Sequence, residues 1–232
     1  MIQTNSIIVT RPNSTSAEIN MGSLIPLKAE WNDSTDIPLF VDCWEGSQNN
    51  SNRVLIIVHG LGEHGGRYKH VPEYLGEQFD RFYAMDQRGH GRSQGMRGYA
   101  PNFEVFLEDL KRVATDVHAR EPGKKLYLLA HSFGGLVALS YLVRERKVPF
   151  ERAIISAPLL GVALKVPAYK IMLGKFLGKT LPKFQLSNEV NPSFLSHDPA
   201  IVEAYVNDRL VHNKITPRLY LEMTAAMEKL CA

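Results

Sequence analysis

Short apolar segments alternate with amphipathic ones from residue 53 to residue 157. Arg53–Val58 is apolar at successive positions, as expected of a central parallel strand that is buried on both faces. A helical i, i+3, i+4, i+7 spacing begins at Phe103 and ends near Pro122-Gly123. This alternation predicts an α/β fold, a mostly parallel sheet flanked by helices. The predicted strands are Leu27–Trp31, Pro38–Trp44, Arg53–Val58, Phe79–Met85, Leu126–Ala130 and Arg152–Ser156, and the predicted helices are Val71–Glu77, one from Phe103 that Pro122-Gly123 ends, and Phe133 to about Arg146.

The alternation stops after Pro158, and helical periodicity dominates from there to the last residue. The first residues are instead rich in Asn, Ser and Thr, which is typical of a loosely held terminus. We therefore divide the chain into a flexible segment (1–24), an α/β core (25–158) and a helical cap or lid region (159–232).

Composition excludes several classes of protein. Hydrophobic residues make up 44% of the 232 residues and charged residues 22%, which is ordinary for a globular domain. The net charge of +3 is too small to suggest a nucleic-acid partner. Cys43 and Cys231 lie far apart and suggest a reducing compartment rather than a disulfide framework. With neither a membrane span nor a signal sequence evident, the expected location is the cytoplasm. The eight histidines show no metal-ligand spacing, so no metal is predicted.

The sequence LYLLAHSFGGL (126–136) carries the main chemical signal. An apolar strand leads into Ser132 and a helix follows at once, which is the context of the nucleophile elbow of serine hydrolases. The tight turn requires small residues two positions before and after the serine, and Ala130 and Gly134 occupy them. The alternative interpretation is a buried serine that caps a helix.

A second signal is HGLGEHGGRY (59–68), which follows the strand ending at Val58. A glycine-rich turn at the end of a strand can direct backbone N–H groups into a site. Together with the residue after the serine, it predicts an oxyanion hole formed by the N–H groups of Leu61 and Phe133. The alternative is an ordinary strand-to-helix loop.

In order and spacing, HGLGEHGGRY, MDQRGHGRSQGMRG (85–98) and AHSFGG resemble the α/β-hydrolase superfamily, and more narrowly its monoacylglycerol lipase and lysophospholipase branch. The resemblance implies a serine ester hydrolase that acts on monoacylglycerol or lysophospholipid through an acyl-enzyme on Ser132, with no cofactor. It also suggests Glu63, Arg67 and Tyr205 as substrate contacts. The alternative for these three is a loop ion pair and a packed tyrosine. The DQRGHG turn is expected to be structural.

The resemblance also implies a triad whose acid and histidine follow Ser132. Asp198 and His212 have the right order, but no apolar strand precedes either, so we interpret both as cap residues. The chain then resembles an α/β-hydrolase without its C-terminal part, and is expected to lack the base that activates Ser132. The alternatives are a thioesterase or aminopeptidase-like hydrolase of the same fold, or a catalytically inactive fragment that binds lipid or a partner.

Two surfaces suggest contacts beyond the substrate. Residues 167–182 predict an amphipathic helix that serves as a lid with peripheral membrane contact, although such a stripe could equally pack on the core. Without further strands, Arg152–Ser156 becomes an exposed sheet edge, which predicts self-association. The apolar stripe consists of Tyr169, Met172, Leu173, Phe176 and Leu177, and the lysines around it are Lys165, Lys170, Lys175, Lys179 and Lys183.

Overall fold

The computed structural model describes residues 23–25, 37–48, 50–161, 178, 180–188 and 190–231. Within these residues, six strands form one sheet in the order β1-β2-β4-β3-β5-β6, and two short strands pair apart from it. The strands are β1 (Ser23–Ile25), β2 (Leu39–Glu45), β3 (Arg53–Val58), β4 (Arg81–Met85), β5 (Lys125–His131), β6 (Phe150–Ser156), β7 (Leu186–Ser187) and β8 (Lys214–Ile215). The helices are α1 (Val71–Leu75), α2 (Glu104–Arg120), α3 (Phe133–Arg144), α4 (Pro199–Val206) and α5 (Pro217–Cys231), with 3₁₀ turns at Gly65–Tyr68 and Pro192–Phe194.

The sheet is mostly parallel, as predicted. β3 runs parallel to β4 and β5, and β6 runs parallel to β5. β2 pairs antiparallel with β4, and β1 pairs antiparallel with β2. The predicted strand at 27–31 and residues 1–22 of the predicted flexible segment (1–24) lie outside the described residues, whereas residues 23 and 24 belong to β1.

Alternating side chains of β3 enter two separate cores, which explains why the strand is apolar throughout. Val54, Ile56 and Val58 belong to a cluster with α2 and α3. Leu55 and Ile57 belong to the cluster on the opposite face, with α1. Both faces of the sheet are thus covered, as in α/β proteins with parallel strands.

Helix α5 packs on the α/β core, although the sequence assigned it to the cap region 159–232. Leu219, Met223 and Met227 are buried in the same cluster as α2 and α3. The alternation of strands and helices ends at Pro158. The hydrophobic core nevertheless includes α5, the last described helix.

Strand β6 forms one edge of the sheet and pairs with β5 alone among the described residues. Most of its side chains are exposed, and Ile154 exposes 49% of its surface. No helix in the described ranges combines the length and hydropathy needed to cross a bilayer.

Candidate active site

The carboxyl ends of the parallel strands carry the loops that the sequence singled out. The glycine loop (residues 59–68) follows β3, the DQRGHG turn follows β4, and Ser132 follows β5. Because β3, β4 and β5 are parallel, all three segments meet at one edge of the sheet. This edge is where open α/β sheets bind their ligands.

Ser132 occupies the turn between β5 and α3 in a conformation that L-residues rarely adopt. Its φ is 52° and its ψ is −116°, and its side chain is partly exposed. The backbone is held on both sides, because Ser132 N–H donates to Ser156 O at 3.0 Å and Leu159 N–H donates to Ser132 O at 2.9 Å. The predicted strand–turn–helix geometry is confirmed, and strain of this kind is typical of functional sites.

Glycine at position 134 is a steric requirement of this turn. A Cβ atom there would lie 2.5 Å from the carbonyl oxygens of both Val58 and His59. Ala130, two residues before the serine, is fully buried between β3 and β6. The first turn of α3 therefore approaches the end of β3 closely enough to bring Ser132 beside the glycine loop.

The two predicted oxyanion donors have free backbone N–H groups. Neither Leu61 N–H nor Phe133 N–H donates a hydrogen bond within the described part of the chain. Phe133 is the first residue of α3, where helical N–H groups lack intrahelical acceptors. Gly60 lies against the serine, since a Cβ on Gly60 would be 3.3 Å from Ser132 Cβ.

His59 fixes the peptide that carries the Leu61 N–H. Its Nε2 accepts from Gln87 N–H at 2.9 Å, so the proton resides on Nδ1, which donates to Gly60 O at 2.7 Å. In a trans peptide the C=O and N–H point in opposite directions, so holding Gly60 O sets the direction of Leu61 N–H. Burial lowers the pKa of His59 and keeps the ring neutral for this task. This role of His59 was not predicted from the sequence, although its place between β3 and Gly60 was visible.

Glu63 and Arg67 make contacts within the protein. Glu63 accepts from Gly60 N–H at 2.7 Å, from Tyr68 Oη–H at 2.9 Å and from Arg67 Nε–H at 3.1 Å. Burial favours a raised pKa at Glu63, but the hydrogen bonds from Gly60 N–H and Tyr68 Oη–H and the Arg67 charge hold the pKa below its usual value. The Arg67 guanidinium lies 4.7 Å from the centre of the Tyr205 ring. These contacts match the alternative interpretation, a loop ion pair and a packed tyrosine.

The DQRGHG turn is built by its own polar side chains, as expected. Asp86 is fully buried and accepts from Gly65 N–H at 2.6 Å and from Arg92 N–H at 2.7 Å. Arg88 forms a two-point ion pair with Asp109 of α2. The turn therefore holds the glycine loop through Asp86 and is itself joined to α2 through Arg88.

No histidine donates to or accepts from the Ser132 hydroxyl, and all eight histidines lie among the described residues. His64 pairs with Asp208 at 2.7 Å. His212 is engaged at both ring nitrogens, by Gly89 O and by Lys214 N–H. Asp198 caps α4 through Ala200 N–H. Asp198 and His212 are thus structural residues of the segment after β6, as the sequence indicated.

In the described part of the chain, no cluster of three His, Cys, Asp or Glu side chains could hold a metal ion.

Acid is expected to reduce the stability of the fold between pH 6.5 and about 4. Burial lowers the pKa of His212 to about 4, and the positive charges of Arg97 and Lys214 add to the shift. The unfolded chain takes up this proton below pH 6.5, whereas the folded chain takes it up only near pH 4. The stabilisation is therefore complete above pH 6.5 and is lost as the pH falls, by roughly 2 kcal/mol once partial exposure is allowed for. Thermal midpoints measured from neutral pH to pH 4.5 should fall less for His212→Asn than for the native sequence. Parallel curves for the two proteins would contradict this assignment.

Comparison with known proteins agrees with this geometry. The sequence profile of the family described as serine aminopeptidase, S33 (Hydrolase_4) matches residues 49–232. An uncharacterised abhydrolase domain-containing protein of Dictyostelium discoideum is 40% identical over 160 residues, which are 69% of this chain and 17% of that protein. A monoacylglycerol lipase of Mycolicibacterium smegmatis is 30% identical over 181 residues, which are 78% of this chain and 64% of that enzyme.

A solved structure gives the same result. The crystal structure of the Paleococcus ferrophilus monoacylglycerol lipase superposes with a TM-score of 0.70 at 32% identity, covering 83% of this chain and 71% of that one. The chain spans less than two thirds of the length of the Dictyostelium and Mycolicibacterium relatives. The resemblance seen in the sequence motifs is confirmed. The chain belongs to the serine aminopeptidase, S33 family, in the monoacylglycerol lipase-like branch of the α/β-hydrolases.

Proposed function

We propose that this chain carries the nucleophile and oxyanion hole of a serine ester hydrolase that acts on a monoacyl lipid. Ser132 Oγ attacks the ester carbonyl, and the N–H groups of Leu61 and Phe133 receive the negative charge on the carbonyl oxygen. The observation that carries the proposal is the positive φ of Ser132 at the β5–α3 turn, beside two backbone N–H groups without acceptors in the described ranges.

The chemistry also needs a base. Serine is a weak nucleophile until an adjacent base takes its proton. None of the eight histidines of this chain hydrogen-bonds to Ser132 Oγ, so we expect the 232-residue chain to acylate slowly and to turn over poorly. This observation favours a second candidate, a catalytically inactive module that binds lipid.

The substrate class is supported by the relatives and by the segment after β6. Monoacylglycerol lipase is the name of both the Mycolicibacterium relative and the Paleococcus structure. Large apolar side chains are exposed in the described part of residues 181–206, and Phe194 exposes 87% of its surface. Exposed apolar side chains of this kind suit contact with an acyl chain better than contact with a peptide. Residues 167–177, which carry the predicted lid stripe, lie outside the described residues.

Two assays test the proposal. A fluorophosphonate probe should form a covalent adduct that mass spectrometry locates on Ser132, with Ser156 as the neighbouring serine that stays unmodified. Hydrolysis of monoacylglycerol, lysophospholipid, acyl thioester and aminoacyl amide should then rank the esters first. An unmodified Ser132 would contradict the nucleophile and favour the inactive lipid-binding module, whereas a preference for the amide would favour an aminopeptidase-like activity.

We also propose that the exposed β6 edge mediates self-association. An unpaired strand edge with apolar side chains invites pairing with another chain. Light scattering over a wide range of concentration should show reversible oligomers, and Ile154→Lys should reduce them. Val143→Lys is the matched control, because Val143 is an apolar side chain that is 74% exposed but lies on helix α3 and not on the strand. A monomer at all concentrations would contradict the proposal.

A further inference from the structure

Residues 205–212, here called the strap, run from the end of α4 back across the glycine loop. Three contacts join the two segments. The Tyr205 ring covers the Arg67 guanidinium, Asp208 Oδ2 lies 2.7 Å from His64 Nε2, and His212 N–H donates to Gly62 O at 2.8 Å. The partners in the glycine loop therefore extend from Gly62 to Arg67, directly after Leu61.

The strap is itself anchored to the core, so it can hold the loop rather than move with it. His212 Nε2 donates to Gly89 O at 3.1 Å, and its ring lies 4.8 Å from the buried ring of His90. Four residues further on, Thr216 N–H donates to Gly98 O at 2.8 Å. The strap is thus tied to the turn after β4 on one side and to the glycine loop on the other.

The glycine loop needs such support on the side of Leu61 that His59 does not reach. Gly60 is held by Glu63 and His59. After Leu61, Gly62 has a φ of +81°, and Gly65 and Gly66 follow shortly. Glycine loses the most conformational freedom on ordering, so an unsupported glycine-rich segment samples many directions. An oxyanion donor must lie within about 2.7–3.1 Å of the oxygen that it stabilises.

We propose that the strap holds the loop after Leu61 and so completes the positioning of the Leu61 N–H, whose peptide His59 holds on the other side, with Asp208 and His64 as positioning residues. The inference rests on the proposed function, since it assigns Leu61 to the oxyanion hole. Asp208 holds His64, and His64 begins the 3₁₀ turn that ends the loop. The strap thereby couples the segment after β6 to the oxyanion hole.

The ionisation of Asp208 in its hydrogen bond with His64 agrees with this role. Burial tends to raise the pKa of Asp208, but the hydrogen bonds from His64 and from Leu210 N–H hold the pKa below its usual value. The carboxylate is therefore charged at neutral pH, and a charge-assisted hydrogen bond at 2.7 Å is among the stronger kinds.

The test combines Asp208→Ala, His64→Ala, the double variant and Asp208→Asn, which keeps an acceptor oxygen for His64. Glu203→Ala is the matched control, because Glu203 is an exposed carboxylate on α4, the helix that leads into the strap. Hydrogen–deuterium exchange is followed in peptides from 59–68 and from 125–144. The rate of fluorophosphonate labelling of Ser132 is measured alongside.

Asp208→Ala should speed exchange at 59–68 alone and slow labelling at saturating probe by roughly tenfold, as a small displacement of catalytic geometry does. The double variant should be no worse than either single one, and Asp208→Asn should restore most of the rate. Exchange that rises equally in both regions, or an Asp208→Ala protein that behaves like Glu203→Ala, would overturn the inference. If the native chain is not labelled, the proposed function fails, but exchange at 59–68 still decides whether the strap orders the loop.

Discussion

Alanine at position 132 is expected to abolish covalent labelling by a fluorophosphonate. The probe phosphorus must bond to a serine oxygen, and Ser132 is the serine that the β5–α3 turn presents beside two free N–H groups. In a complete serine triad, loss of the nucleophile lowers turnover about 10⁶-fold, so any esterase activity that this chain has should fall to background. Labelling is read by mass spectrometry, and ester hydrolysis is measured on the same preparations.

Ser156→Ala is the control for this experiment. Ser156 lies at the end of β6, is exposed, and touches the same turn through its backbone oxygen. Alanine keeps that carbonyl, so the turn should be unchanged and Ser132 should be labelled at the native rate. Equal labelling of Ser132→Ala and the native chain would show that another residue reacts, and would contradict the assignment of the nucleophile.

The second large effect concerns the ion pair that anchors the DQRGHG turn to α2. Arg88 Nε lies 2.6 Å from Asp109 Oδ2 and Nη2 lies 2.9 Å from Oδ1, with side-chain exposures of 7% and 1%. Asp109→Ala would leave the Arg88 guanidinium buried without this carboxylate. Removing one partner of such a pair costs about 3–5 kcal/mol. That is a large fraction of the roughly 5–15 kcal/mol by which a domain is stable.

Denaturant unfolding measures this loss, and Glu108→Ala is its control. Glu108 is the adjacent residue of α2 and pairs with Arg144, but its side chain is 59% exposed. An exposed ion pair contributes at most about 1 kcal/mol, so Glu108→Ala should unfold close to the native midpoint. A midpoint for Asp109→Ala as high as that of Glu108→Ala would show that the buried pair contributes little.

The strands of the core and the turn at Ser132 could be predicted because their signals are local. Burial on both faces makes β3 continuously apolar from Val54 to Val58, and this pattern is visible in five successive residues. The elbow needs a strand, a serine between small residues and a helix, all of which lie within about twenty residues of sequence. The clash that a Cβ at Gly134 would make explains why the small residue is required there.

The partners of the polar residues were decided by the tertiary structure. Glu63 and Arg67 were predicted as substrate contacts from their position after the glycines, but packing brings Gly60, Tyr68 and Tyr205 to them. His64 and Asp208 are 144 residues apart, and nothing in either local sequence indicates the other. A hydrogen bond needs only a donor and an acceptor brought together, so sequence alone leaves its partner open.

Helix α5 likewise separates what the sequence predicts from what the tertiary structure decides. Its amphipathic pattern predicts a helix with one buried side, and the helix is present from Pro217 to Cys231. The pattern does not say which surface covers that side, because burial of apolar area is non-directional. Sequence thus indicated the central strands, the main helices and the strand–turn–helix at Ser132, where the physical cause lies in neighbouring residues. Only the tertiary structure placed α5 on the core and the strap on the glycine loop, because those contacts join segments that are distant along the chain.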